Sequence, residues 1–352
     1  MKKVIVGMSG GVDSSVSVHL LKEQGFEVEG LSFILYEARL KNTFSGCCSI
    51  EAINDAAGTA GRLGVKHTVM DLREVFTEKV IEPFVEAYSK GLTPNPCILC
   101  NRHIKFPYLL KAARANNADF IATGHYAKTV QDKNITLLKK GLDAKKDQSY
   151  VLYVLSRDEL NSLVLPLADR TKDEVRDIAR DLDLPAAKRP ESQEICFVED
   201  GRYFSFLEHM AGDTEGPVVD VETKEVLGRH KGIHLYTIGQ RKRLGVASLK
   251  PLYVTGIDPA QNTVYVGPKE KAMMREFIVG DINLLQSLPD DHEEFRAAVK
   301  VRSTMEERPA TIKLLNDGRI LVVYDEPQWA PAPGQSAVFY DGDTVMGGGI
   351  IS

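Results

Sequence analysis

The chain has 352 residues, 43% hydrophobic and 26% charged, with a formal net charge of −5. That is the composition of a globular protein of two or three domains, and its acidic balance excludes a blanket polycationic nucleic-acid binder, so any RNA contact has to come from local basic patches. No apolar run reaches the ~18–20 residues that cross a bilayer, and the opening MKKVIVGMSGG has too few apolar residues for a secretory signal, so a cytoplasmic protein without membrane contact is expected.

The first apolar run, KVIVGM, breaks at SGGVDSS and resumes with apolar residues at helical spacing, which predicts a strand, a glycine turn and a helix. Further strands are expected at EVEGLSFIL, HTVMDL and FIATG, and helices around Ser14–Gln24, Ile50–Leu63, Val75–Ser89 and His103–Ala115. Strands alternating with helices predict a parallel sheet covered on both faces. After Gly201 the texture changes. One more helical pattern, YFSFLEHM, gives way to short alternating runs, with the turn signals NDG and YDGDT between apolar segments. The expected organisation is an α/β domain over residues 1–203, a small β-rich central domain over 204–284 and a β-barrel over 285–352.

The glycine turn is the first candidate site. Gly10 and Gly11 let the backbone bring its N–H groups close to an anion, and the helix that follows adds partial positive charge. Ser9, Ser14 and Ser15 add hydroxyls, and Asp13 is placed to cap the helix or to orient a magnesium ion. A turn leaving the first strand of an α/β sheet and entering a helix is where such sheets hold ligands. The string has no lysine of the usual phosphate loop.

Five cysteines, Cys47, Cys48, Cys97, Cys100 and Cys196, all lie in the first 196 residues, an odd and lopsided set that argues against a stapling disulfide framework. TPNP before Cys97 and Cys100 is a rigid lead-in to a helical segment, a setting that favours thiolates. Three readings stay open for Cys97, Cys100 and Cys196: thiol chemistry, ligation of an iron–sulfur cluster with one iron left open, and plain buried packing. Cys47 and Cys48 read as structural.

Taken in order, GMSGGVDSS, GCCSIEAINDA, TPNPCILCNRHIKF, IATGHYA, KKDQSYVLY, ESQEICF, TIGQRKRLG and PGQSAVFYDG resemble the bacterial tRNA-specific 2-thiouridylase (MnmA) family, within the ATP pyrophosphatase (PP-loop) superfamily, essentially end to end. The resemblance implies an N-terminal domain of the adenine nucleotide alpha hydrolase kind. It implies thiolation at C2 of the wobble uridine in the tRNAs for Lys, Glu and Gln. ATP and Mg²⁺ are implied as cofactors, and a persulfide or sulfide donor, such as a cysteine desulfurase or sulfur relay, as partner. The open alternatives are an AMP-forming synthetase or amidotransferase of the same superfamily acting on a small molecule, and the same thiolation run through a [4Fe–4S] cluster.

Carried over residue by residue, Gly7, Met8, Ser9, Gly10, Gly11, Val12, Asp13 and Ser14 match the family's ATP loop. Phe33 falls where the family places an adenine-side contact, usually Met, and Gly124 where it places a second backbone contact to the nucleotide. Cys100 matches the nucleophile and Cys196 the persulfide carrier. Asn95, Pro96 and Cys97 fall where the target base is read, and Lys146, Asp147, Gln148, Arg302 and Ser303 where tRNA is contacted. One departure stands out: many members carry Asp where this chain has Cys97. That removes a carboxylate from beside the nucleophile and adds a third sulfur.

The remaining features are weaker. Lys139, Lys140, Lys145 and Lys146, and separately Arg241, Lys242 and Arg243, form local cationic segments suited to phosphate contacts. His125, after a strand end, reads as structural, and Trp329 is expected to pack the C-terminal barrel.

Overall fold

A computed structural model describes residues 1–36, 50–133, 135–188, 195–198, 204, 206–208, 212, 214–286 and 294–352. Cys47 and Cys48 lie outside the described residues. In chain order the first part runs β1 (Lys3–Gly7), α1 (Val12–Glu23), β2 (Glu27–Ile34), α2 (Ile50–Leu63), β3 (Lys66–Asp71), α3 (Arg73–Phe76), α4 (Glu82–Ser89), α5 (Pro96–Cys100), α6 (Phe106–Ala115), β4 (Phe120–Ala122), β5 (Ala127–Asp132), β6 (Ile135–Lys140), α7 (Arg157–Ser162), β7 (Leu163–Val164) and α8 (Lys172–Asp181). The rest is β-rich: β8 (Gly216–Asp220), β9 (Val226–His230), β10 (Tyr253–Asp258), β11 (Thr263–Gly267), β12 (Met273–Leu284), β13 (Glu294–Lys300), β14 (Arg308–Leu314), β15 (Ile320–Trp329), β16 (Ser336–Asp341) and β17 (Thr344–Ile351). The chain divides into two compact units, the first holding Met1–Ile81, Pro96–Gly201 and Asp343–Met346, the second the remainder.

The first unit is built on a parallel sheet in the order β3-β2-β1-β4-β7. β1 is central because it can be buried on both faces: Val4, Ile5 and Val6 are 2% exposed or less. Each such side chain contributes roughly 1.5–3 kcal/mol on burial. Val4, Val6 and Met8 pack with Val18 and Leu21 of α1 and Ala56 and Ala60 of α2, while Val12, Val16 and Leu20 turn toward Val175 and Ala179 of α8. The chain leaves β1 toward β2 and later returns to the other side of β1 as β4. The loops after β1 and β4 therefore diverge at one point of the sheet edge, the place where open α/β sheets hold ligands.

In this unit α5, a π-helical stretch over Asn101–Lys105 and α6 follow one another without a break. α8 begins at a capping box in which Thr171 Oγ1 accepts from the Glu174 N–H and the Glu174 carboxylate accepts from the Thr171 N–H. That box fixes Lys172 as the first helical residue.

The second unit holds a four-stranded sheet, β10-β11-β8-β9, and a closed antiparallel barrel of β12, β15, β14, β13, β16 and β17. Closure comes from β12 pairing with both β15 and β17. The barrel's sheet thus starts at Met273, ahead of the 284/285 division expected from sequence. Trp329 does not pack the barrel as expected. It ends β15, meets Tyr253 edge-on with ring centroids 5.2 Å apart, and packs on the core of the four-stranded sheet.

Candidate active site

The loop between β1 and α1 is shaped by contacts that leave no room for a side chain. Gly10 has φ +72°, and a Cβ there would strike the carbonyl of Ala52 in α2. On the other side, a Cβ on Gly124 would lie 2.7 Å from the Asp13 carbonyl carbon and 2.8 Å from the Ser14 nitrogen. The loop after β4 thus presses directly on the start of α1. Inside the loop, Ser14 Oγ accepts from the Ser9 N–H at 3.2 Å and donates to the Gly11 carbonyl at 3.1 Å. Gly11 is the N-cap of α1 and no side chain caps that end. The first-turn amides are therefore left for an anion, in the field of a 12-residue helix.

Asp13 is engaged across the unit rather than at the helix end. It is no cap. Both its carboxylate oxygens are 2.7 Å from Lys172 Nζ, and Tyr126 Oη donates to one of them at 2.8 Å. Lys172 is 7% exposed. With both oxygens engaged, Asp13 is not a vacant magnesium ligand. Among the described residues no group of three His, Cys, Asp or Glu side chains is placed to hold a metal. A magnesium ion accompanying ATP would be held chiefly by the nucleotide's phosphates. Lys172 is the cation missing from the loop, and sequence reasoning passed over it. Its signal was the T-x-x-E box, which sets a lysine at a helix start, but nothing local tied that start to Asp13.

Met8 donates its N–H to the Leu31 carbonyl at 2.8 Å, and Ser32 Oγ donates to the Met8 carbonyl at 2.7 Å, fixing the loop to β2. Phe33 is half-buried on the same strand, one residue beyond Ser32. The structure thus brings Gly7 to Ser14, Phe33 and Gly124 to one end of the sheet.

The cysteines are distributed differently. Cys97 is exposed in the first turn of α5, Cys100 is buried at its end, and Cys196 is half-buried; none is in a disulfide. Among the described residues Cys97, Cys100 and Cys196 do not form a group placed to hold a metal. The turn bearing Cys196 is anchored by Phe197, which is 1% exposed and meets Phe76 at 5.7 Å and Tyr36 at 6.4 Å between centroids.

The three segments of the chain match the family profiles described as tRNA methyl transferase HUP domain (residues 2–200), tRNA methyl transferase PRC-barrel domain (204–268) and Aminomethyltransferase beta-barrel domain (274–351). A tRNA-specific 2-thiouridylase, MnmA 2, of Caldanaerobacter subterraneus subsp. tengcongensis is 47% identical over 99% of this chain and 97% of its own length. The MnmA of Clostridioides difficile is 45% identical over 99% and 98%. The chain belongs to the tRNA-specific 2-thiouridylase (MnmA) family. A solved 4-thiouridine synthetase–RNA complex with bound ATP gives a TM-score of 0.38 at 16% identity over 59% of this chain and 50% of that one.

The residues that the MnmA resemblance assigned to tRNA sit in several settings. Asp147 is a loop staple, accepting from the Gly141 N–H, the Ser149 N–H and Ser149 Oγ. Gln148 accepts from the Tyr126 N–H at 3.0 Å and donates its own N–H back to the Tyr126 carbonyl at 2.8 Å. Their side chains order the segment that presents half-buried Lys146. In the second unit, Arg302 donates to the carbonyls of Ile238 and Ala330 and to Gln335 Oε1, and Ser303 beside it is exposed. Arg302 lines a cavity of about 580 Å³ with Tyr88, Thr93, Lys242 and Arg243. Burial pushes the Tyr88 phenol up to about 12, so it stays protonated there. Among the described residues no helix is long and apolar enough to cross a membrane.

Proposed function

We propose that the chain is an ATP-dependent tRNA-uridine 2-sulfurtransferase acting on the wobble uridine. The uridine O2 attacks the α-phosphorus of ATP, the N3 proton is lost, and pyrophosphate leaves into the amides of the β1–α1 loop. C2 then carries AMP, a far better leaving group than the original oxygen. A persulfide on Cys196 attacks C2 with its terminal sulfur, the C2–O bond breaks, and AMP departs. The Cys100 thiolate next attacks the Cys196 sulfur, releasing 2-thiouridine and leaving a Cys100–Cys196 disulfide that a thiol reductant resets. The persulfide step needs water kept from the adenylate.

The observation that carries this reading is the close approach of Gly124 to the uncapped start of α1, which builds an anion cradle at the sheet's switch point in a member of a thiouridylase family. Cys100, two helical segments ahead of β4 in the same unit, supports the sulfur half. The test is pyrophosphate release with purified tRNA, together with mass spectrometry of the RNA after ATP and a persulfide source are supplied. tRNA-stimulated pyrophosphate release with 2-thiouridine formed is the expected result. Release that ignores tRNA, with unmodified RNA recovered, would refute the reading and favour a small-molecule ligase.

A further inference from the structure

Lys105 closes the π-helical stretch that begins directly after Cys100. Its Nζ donates to Asn101 Oδ1 at 3.0 Å and reaches His125 Nε2 at 3.5 Å. Neither partner is an anion. Asn101, 1% exposed, is locked by donating to the Val151 carbonyl at 2.8 Å. His125 is buried, stacked on Phe106 with centroids 5.8 Å apart, and its Nδ1 lies 2.7 Å from Thr123 Oγ1. Burial first, and the Lys105 charge second, hold the His125 imidazole well below its ordinary range. The ring is therefore neutral, with Nε2 accepting from the ammonium and the proton on Nδ1.

Among the described residues no carboxylate lies within ion-pair distance of Lys105, in contrast to Lys172, whose charge Asp13 cancels. A half-buried ammonium held by neutral acceptors keeps its charge available to an arriving anion. The reaction supplies one. His125 directly follows Gly124 at the nucleotide end, and Cys100 precedes the π-helical stretch at the sulfur end. As sulfur displaces AMP, the phosphodiester monoanion on C2 becomes the AMP dianion, so one further negative charge develops on the phosphate oxygens. π-Helical segments of this kind recur where a helix must aim a functional side chain.

We propose that Lys105 is the cation that receives the phosphate of the uridine adenylate and stabilises AMP as it leaves. The proposal rests on the adenylation reading above. His125 and Asn101 are then positioning residues: they hold the ammonium without neutralising it.

The experiment uses the full-length enzyme with tRNA, ATP and a persulfide source, and AMP as the probe. Lys105→Met should weaken inhibition by AMP by about tenfold and slow 2-thiouridine formation by about tenfold or more, with Lys105→Arg recovering most of both. The pH profile of Cys100 alkylation by iodoacetamide should be unchanged in either variant. Unchanged AMP inhibition in Lys105→Met would overturn the proposal. So would a shifted Cys100 alkylation profile with normal AMP inhibition, which would assign the charge to the thiol instead. An Arg variant no better than the Met variant, at equal melting temperature, would reduce Lys105 to a packing role. Wild-type enzyme that forms no AMP with tRNA would overturn the adenylation reading along with this one, a result distinct from any loss confined to the variants.

Discussion

Asp13 and Lys172 are 159 positions apart in sequence, yet each carboxylate oxygen of one lies 2.7 Å from the ammonium of the other, with the Tyr126 ring under the lysine at 5.7 Å. The pair ties the start of α1 to the start of α8. It also decides the sign of the loop: the carboxylate that would repel a phosphate is neutralised, leaving the amides and the helix field to act. Lys172→Met should therefore do double damage, exposing the cradle to an uncompensated negative charge and loosening two helices. The Lys172 side chain is 9% exposed and that of Asp13 32%. For a pair buried on one side only, a loss of about 1–3 kcal/mol is expected by urea unfolding, with pyrophosphate release lowered about tenfold or more. Lys172→Arg should keep most of both, and a Met variant as active and stable as wild type would refute the role.

The loop glycines give a sharper contrast, because their neighbours differ in whether they can yield. Gly124→Ala sets a methyl against the backbone of Asp13 and Ser14 at 2.7 and 2.8 Å, so strand end and helix start must separate. Gly11→Ala meets nothing nearer than Ser9 Oγ at 3.5 Å, an ordinary contact with a side chain that can rotate. ATP affinity measured by calorimetry should drop about tenfold or more for Gly124→Ala and stay within about threefold for Gly11→Ala. Equal effects would mean that the loop is not held by this contact.

How much of this was legible beforehand follows from what each signal depends on. β1, β2 and β4 fall within the runs KVIVGM, EVEGLSFIL and FIATG, β3 starts one residue ahead of HTVMDL, and α2 spans Ile50–Leu63, because burial pattern and helix period are local properties of sequence. The helix expected from His103 to Ala115 is longer, starting at Pro96, since proline favours a first helical turn that apolar spacing alone does not report. The β5–β6 hairpin was hidden within a segment read for its charges, where Leu137 and Leu138 alternate too briefly to stand out. Lys172 and Lys105 were missed for one reason: each acquires meaning only from a partner that the fold brings near.

Acid should unfold the protein earlier than a structure without buried imidazole. His125 is held below its ordinary value of 6.5, chiefly by burial. Between its depressed folded value and 6.5 the unfolded chain binds the extra proton, so the His125 contribution is complete above about pH 6.5 and is lost as pH falls below it. Urea midpoints should fall between pH 7 and pH 5 in wild type, with a slope reduced by up to about 1.4 kcal/mol per pH unit in His125→Gln. His67 is lowered by burial too, so some slope should persist. An unaltered slope in the variant would show His125 to be solvated.

The cysteine roles proposed above make separate predictions. Cys196→Ser and Cys100→Ser should abolish 2-thiouridine while pyrophosphate release with tRNA stays within about threefold of wild type. Cys97, exposed and in no metal-holding group among the described residues, should tolerate alanine with thiolation retained within the same range. Thiolation lost in Cys97→Ala, together with iron and acid-labile sulfide in anaerobically purified enzyme, would overturn the persulfide route in favour of a cluster.

Affinity for tRNA should depend steeply on salt despite the net charge of −5, because phosphate contacts are local. In the second unit Arg241 and Lys242 are exposed and carry no ion pair among the described residues, whereas Arg243 sits over the Phe204 ring at 4.5 Å. The first two are thus available to release counterions, and the third is committed to an aromatic face. Filter binding across a salt series should give a log–log slope that becomes shallower by about one unit for each of Arg241→Ala and Lys242→Ala, with little sequence preference in the loss. Slopes indistinguishable from wild type in the double variant would place the phosphate contacts elsewhere on the chain.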